Sequence, residues 1–259
     1  MEIFRCALDN SFRLEQYHIQ IANKKRIQAP SMTSSCSLRT LIETRIPYAF
    51  ATYIRPELRT ILTGISEIDS MSGGVPVSGL TEICGIGKTS VLVSLLAHAS
   101  HKHYCALVDA TDTFDTVAAE AAGTDFSRLL WVRCGKTKQK LRPLEQAFKV
   151  ADMLLQSSGF GLIAVDLGGI AEKLIRNVPI STWFRFSRVV ENQPAALVFV
   201  GQHPRATSCA DLVLRLTSAP AVFSGKILTN FNFKAETSRT REKKGVQSTR
   251  DFSIKAQWA

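Results

Sequence analysis

"GLTEICGIGKTSVLVSLL", Gly79–Leu96, orders a strand, a glycine turn, a lysine, a hydroxyl and an apolar helix. That is the order of a phosphate-binding loop, where backbone N–H groups at a helix N-terminus cradle an anion. The loop is short. The usual pattern is G-x-x-x-x-G-K-[ST], and counting back five from Gly87 lands on Glu82, inside the strand. The turn's only other glycine is Gly85. In a working loop the lysine reaches the outer phosphates and the hydroxyl holds Mg²⁺. Gly85, Gly87, Lys88 and Thr89 are therefore candidate nucleotide-binding residues, and Thr89 is a candidate Mg²⁺ ligand.

Around this stretch, strand and helix patterns alternate. "LTGISEIDSMSGGVPVSG" ahead of it is rich in turn residues. After the Val91, Leu92, Leu95, Leu96 helix come a short apolar strand, "YCALVDA", and a small-residue helix ending at Gly123. "LLWVRC" is a strand, and Leu144, Ala147, Phe148, Ala151, Leu154 and Leu155 recur at helical spacing. "FGLIAVDL" is a strand ending in Asp166, which supplies the acid that a metal beside such a loop needs. "STWFRFSRVVEN" reads as a helix capped by Ser181, followed by the strands "AALVFVGQ" and "ADLVLRL". Near-continuously apolar strands with helices between them predict an α/β fold, with a mostly parallel central sheet covered on both faces. "KILTNFNFKAE" and "RDFSIKAQWA" alternate instead, which predicts a C-terminal antiparallel hairpin. The expected division is a loosely ordered arm over 1–36, a core over 37–218 opening with a helix from Leu38, and a basic hairpin and tail over 219–259.

With 259 residues, 45% of them hydrophobic, the chain suffices for one sizeable core. Its 32 basic and 22 acidic residues leave a formal charge of +10, which favours polyanionic partners. None of the six cysteines stands in a C-x-x-C spacing, which argues against zinc and for a reducing compartment. No run of eighteen apolar residues predicts a membrane span, and the N-terminus lacks a secretory apolar region. A cytoplasmic chain is expected. Its start is open between Met1 and Met32.

These segments resemble the RecA-type core. "TGISEIDSMSGGVPVSGLTEICG" is similar to its opening, "ALVDATDTFD" to its second strand and acidic turn, and "LIAVDL" and "LVFVGQ" to its third and fourth core strands. Within that superfamily, "PISTWFRFSRVVENQPAALVFVGQ", "CADLVLRL" and the basic C-terminal stretch are most similar to the ImuA family, accessory proteins of damage-induced mutagenesis. The resemblance covers roughly Leu38 to Ala259. It implies a RecA-like P-loop core, ATP and Mg²⁺ as ligands, Asp166 as a Mg²⁺ ligand, and Gln202 at the position of the glutamine that senses the γ-phosphate.

The departures bear on activity. The Gly85–Lys88 turn is about three residues short, roughly 10 Å of contour, about what is needed to pass around a phosphate pair. Aligning Asp109 and Asp115 puts Thr111 where RecA recombinases carry a catalytic glutamate, and a threonine cannot polarise attacking water as a carboxylate does. Asp112, next door, is a weak substitute. Three readings stay open: vigorous ATP hydrolysis, weak nucleotide binding with a structural effect, and a vestigial loop that only caps a helix.

Two basic segments are candidate sites for DNA or an acidic partner: Arg133, Lys136, Lys138, Lys140 and Arg142 in the first, and Arg239, Arg241, Lys243 and Lys244 in the second. Neither interleaves aromatics, so neither suggests base stacking; each reads equally as a solvated charged loop. Trp183, Phe184, Arg185 and Arg188 form a candidate partner face, against core packing as the plainer reading. Phe4–Ala7 fits the short F-x-x-A pattern by which recombinases add strands to neighbours.

Resemblance to the ImuA family implies a role in the SOS response. The chain would help assemble an error-prone polymerase module for translesion synthesis with its Y-family-like subunit and RecA, associated with the nucleoid. Single-stranded or damaged DNA would be a further partner. The alternative is a DNA-dependent RecA-type recombinase or ATPase of DNA repair.

Overall fold

The computed structural model describes residues 59–134, 142–157, 159–239 and 248–255. The N-terminal arm, the Leu38 helix, Phe4–Ala7, and Lys136, Lys138, Lys140, Arg241, Lys243 and Lys244 lie outside them.

A two-stranded piece opens the described fold: β1 (Thr60–Ile61) pairs antiparallel with β2 (Val75–Pro76) across the short helix α1 (Ser66–Ser72). Asp69 ties this approach together by accepting the Thr63 N–H and hydroxyl, both at 2.8 Å, and the Gly64 N–H at 3.1 Å. The main sheet follows. Its strands are β3 (Gly79–Gly85), β4 (Cys105–Asp109), β5 (Leu129–Arg133), β6 (Leu162–Asp166), β7 (Ala196–Gly201), β8 (Leu212–Ser224), β9 (Ile227–Arg239) and β10 (Ser248–Lys255). Across the sheet the order is β10-β9-β8-β3-β7-β6-β4-β5. The strands from β8 to β5 run parallel; β9 and β10 are antiparallel additions.

Period-two alternation sorts the strand residues onto two faces. Leu107, Ala164 and Val198 join Val91, Leu92, Leu95 and Leu96 of α2 (Lys88–Ser100) in one core. Ala106, Val108, Ile163, Val165, Leu197 and Phe199 join the other, under α4 (Pro143–Ser157) and α6 (Ile180–Glu191). Both faces are covered, so these strands carry apolar residues throughout. The remaining helices are α3 (Thr116–Ala121), capped by the Asp115 carboxylate, and α5 (Glu172–Arg176).

Two expectations change. Ser181 does not cap α6: Pro179 stands at that position, and Ser181 lies in the first turn. Pro179, held at φ −58, turns the chain into the helix two residues earlier. Strand β8 also does not stop near Leu216 but runs to Ser224, through the expected boundary at 218. Pro220 interrupts the strand pattern in sequence, yet it falls at a register shift between Ala219 and Val222, where a bulge tolerates it. The antiparallel β9–β10 pairing forms as expected. Phe233 and Phe252 reach the same core as α2, so these strands extend the one sheet.

Candidate functional site

Register alone brings the candidate residues to one edge. Asp109 pairs with Asp166, Asp166 with Val200, and Cys84 with Gly201, so β4, β6, β7 and β3 end in a row. The carboxyl edge of a parallel sheet is where open α/β folds bind ligands. Lys88, Thr89, Thr111, Asp166 and Gln202 all follow or end these strands.

The Gly85–Gly87 turn passes directly from β3 into α2. Gly85 and Gly87 have φ of 99° and 92°, which favours glycine. Their missing side chains are also required by close neighbours. A Cβ on Gly85 would stand 2.0 Å from the Leu216 carbonyl oxygen, and one on Gly87 2.6 Å from the Phe233 ring. Ile86 donates its N–H to Leu216 O at 3.0 Å and leaves its side chain 60% exposed. The turn therefore lies against β8 and β9, and α2 starts at Lys88 without a side-chain cap.

Gln202 is the hub of the edge. Its Oε1 accepts from Lys88 Nζ at 3.3 Å, and its Nε2 donates to the Gly168 carbonyl at 2.7 Å. Asp166 is buried and accepts the Gly168 N–H at 2.7 Å. Burial pushes its carboxyl above the ordinary range; the Gly168 bond opposes this, Asp109 adds to it, and Lys88 opposes it. Lys88 thus feels Asp166 electrostatically while its hydrogen bond goes to Gln202. Asp109, fully buried, accepts the N–H groups of Thr111, Thr113 and Phe114 at 3.2, 3.2 and 2.9 Å, so it shapes the turn that carries Thr111.

Comparisons with known proteins bear on the family and the fold. The RecA N-terminal domain family matches residues 51–173. RecA of Rickettsia africae is 31% identical over 116 residues, 42% of this chain and 32% of that protein. RecA of Marinobacter nauticus is 37% identical over 98 residues, 36% of this chain and 26% of that protein. The chain belongs to the RecA-like superfamily. The matches span about a third or less of these relatives' length. The crystal structure of the RadB recombinase superposes with a TM-score of 0.55 at 16% identity, over 73% of this chain and 94% of that one, and shows the fold.

Thr111, expected at the position of the catalytic carboxylate, lies in the turn after β4. Its hydroxyl sits 3.2 Å from that of Thr113, and its side chain fills the space beside Gly169, where a Cβ would come within 2.4 Å of it. Asp112 points to the β5 edge. Its carboxylate is gripped by Arg133, with Nε at 2.5 Å and Nη2 at 2.8 Å. Arg133, expected among the polyanion contacts, thus carries a carboxylate partner and stacks over Trp131 at 4.9 Å. Arg142 is exposed, and the backbone at Arg239 lies in β9. The candidate residues fit a Mg²⁺–phosphate ligand in part. Thr89 in the first turn of α2 and Asp166 at the end of β6 stand at one edge of the sheet, and the turn between β3 and α2 packs against Leu216 and Phe233. Among the described residues no group of three or more His, Cys, Asp or Glu is placed to hold a metal, and no helix is long and apolar enough to cross a membrane.

Helix α6 divides. Trp183 is 2% exposed and stands edge-on to Phe199 at 5.1 Å and Phe148 at 5.6 Å, inside the core. Phe184, Arg185 and Arg188 face outward; Arg185 Nη1 reaches both oxygens of Asp152 at 2.7 Å.

Sequence reasoning missed a second brace. Glu82 is buried in β3, and its carboxylate accepts the N–H groups of Arg205 at 2.5 Å and Ala206 at 3.0 Å. The Arg205 side chain pairs with Glu172 at the start of α5. The signal was present: a lone glutamate inside the apolar run "LTEIC" must find donors when buried. "DLGG" was a second signal, since Gly168 and Gly169 admit Lys88 and Thr111 where side chains would stand.

Proposed function

We propose that the chain is a RecA-like accessory protein of damage-induced mutagenesis, of the ImuA type. It helps assemble an error-prone polymerase complex for translesion DNA synthesis, with the Y-family-like subunit and RecA as partners and single-stranded or damaged DNA nearby. It acts in the cytoplasm, at the nucleoid. ATP and Mg²⁺ bind weakly or not at all, and the fold serves as a scaffold.

The observation that carries this reading is the pair at the end of β4. Thr111 offers no carboxylate, and the Asp112 carboxylate is engaged by Arg133. No group at that turn is available to orient and deprotonate water, the step that hydrolysis requires. The short turn works in the same direction. An alternative, a DNA-dependent recombinase or ATPase, draws on Lys88, Thr89, Asp166 and Gln202 standing at one edge.

The test measures ATP binding and turnover with and without single-stranded DNA, for the chain and for Lys88→Ala. Expected is turnover at background in both, unchanged by DNA. Micromolar ATP affinity with DNA-stimulated turnover, lost in Lys88→Ala, would replace the accessory reading with the ATPase one.

A further inference from the structure

Strand β8 outlasts its parallel neighbour. Its last pairing with β3 is Leu216 opposite Gly85, and from Thr217 to Ser224 it continues with β9. Because β8 runs parallel to β3, this ribbon projects past the carboxyl edge of the sheet, by roughly 25 Å at the rise of a strand. Gly225 and Lys226 close it.

The ribbon's register lines up its aromatics. Val222 pairs with Asn230, and Phe223, after a register shift, with Leu228. Neighbouring strand residues face opposite ways. Phe223 therefore faces away from the Val222–Asn230 side, and so does Phe231. The Phe231 ring stacks on Phe233 at 6.4 Å, and Phe233 on Phe252 at 5.3 Å. An aromatic row thus starts in the core, beside Gly87, and runs onto the ribbon. Its inner members are buried, whereas Phe231 is 46% and Phe223 60% exposed.

Charge selects the occupant. From Thr217 to Ala235 the ribbon carries no carboxylate, and its cations are Lys226 at the turn and Lys234; Lys234 pairs across the sheet with Asp251 and stands 3.9 Å from Glu236. A second copy of the ribbon would bring these cations against their like, which disfavours self-pairing. A single nucleic-acid strand matches both features, because unpaired bases stack on exposed rings while cations take the phosphates. A duplex would first have to unstack. We propose that the β8–β9 ribbon is a binding arm for single-stranded nucleic acid, with Phe223 and Phe231 as its stacking platforms. The proposal extends the function above by naming where a strand is held, and it rests on that reading only in taking nucleic acid as a partner.

The experiment titrates the full chain, without nucleotide, into a fluorescein-labelled 20-mer of thymidylate and into a hairpin duplex, across a salt series. The double variant Phe223→Ala/Phe231→Ala keeps Phe233 and Phe252, and with them the core. Expected is a loss of single-strand affinity of about 10- to 100-fold, an unchanged salt slope because no charge is removed, and weaker binding of the duplex throughout. Unchanged affinity in the variant overturns the proposal, as does equal affinity for the duplex. A change in sedimentation with DNA binding intact also overturns it, in favour of a second copy. Photocrosslinking with 5-iododeoxyuridine gives an independent answer even if the variant folds poorly. Crosslinks at Phe223 or Phe231 support the arm; crosslinks confined to other segments reject it. Because nucleotide is absent, failure here leaves the accessory role standing, and a positive ATPase assay leaves the arm standing.

Discussion

Lys88 Nζ donates to Gln202 Oε1 at 3.3 Å, joining the first residue of α2 to the end of β7. Gln202 passes the link on to the Gly168 carbonyl. The three segments that follow β3, β6 and β7 are therefore tied together by side chains. Removing Lys88 breaks one exposed tie, and removing Gln202 breaks both. Gln202→Ala is expected to lower unfolding free energy by no more than about 1 kcal/mol, read from urea denaturation. A much larger loss would mean that the link holds the sheet edge itself.

Gly87→Ala tests whether the turn is built for its neighbours. A side chain there meets both the left-handed backbone, φ 92°, and the Phe233 ring. The expected loss is about 2–4 kcal/mol. Phe233→Leu combined with Gly87→Ala should recover part of it, because the two residues touch. Strict additivity in the double-mutant cycle would remove the steric account.

Thr111→Glu places a carboxylate where the proposed reading finds one missing, without lengthening the turn or freeing Asp112 from Arg133. ATP turnover is expected to stay at background in this variant, measured by phosphate release. Turnover appearing in Thr111→Glu alone would show that the short turn is no obstacle.

Asp166 and Glu82 predict an unusual pH dependence. Burial raises both carboxyls above their ordinary values of 3.8 and 4.5. For Glu82 the bonds from Arg205 and Ala206 and the charges of Arg205 and Arg215 oppose that shift. A raised carboxyl binds its proton more tightly in the folded than in the unfolded chain. Its contribution is then greatest below the unfolded value and declines as pH rises through the folded value. Asp166→Asn keeps the oxygen that accepts from Gly168 and removes the buried charge. It should raise the melting temperature at neutral pH and flatten its decline as pH rises above the ordinary carboxyl range. A lower melting temperature at pH 7 would show that Lys88 stabilises the ionised form more than burial penalises it.

Glu82→Gln examines the second brace. The amide replaces one acceptor with a donor facing backbone N–H groups, which leaves a buried donor unpaired. A loss of about 1–3 kcal/mol is expected, with faster amide exchange at Arg205 and Ala206. Exchange unchanged at those two amides would show that the loop is held by other contacts, such as Arg205 with Glu172.

Much of the architecture was legible in the chain. Alternating apolar strands and helical spacings marked the parallel core, because a strand buried on both faces has no polar position to spare. Lys88, Thr89, Asp166 and Gln202 were recognisable because each sits at a strand end in a known order. What was not legible was pairing between distant segments. Nothing in "DATDTFD" tells that Asp112 turns to Arg133, twenty-one positions on, since that depends on β4 and β5 lying side by side. Trp183 and Phe184 are neighbours in sequence, yet only packing against Phe148 and Phe199 makes the first a core residue and leaves the second outside.

By itself, then, the sequence determined the RecA-like order of strands and the shortness of the Gly85–Lys88 turn, because periodicity and chain length are local properties. Only the tertiary structure decided what that turn rests on. Leu216 comes from β8, which pairs with β3, and Phe233 from β9 on the far side of β8, and their backbone and ring occupy the space beside Gly85 and Gly87. The same long-range pairing carries β8 and β9 beyond the sheet and sets Phe223 and Phe231 in solvent. Contacts of that kind follow from register between distant strands, which no local pattern of residues records.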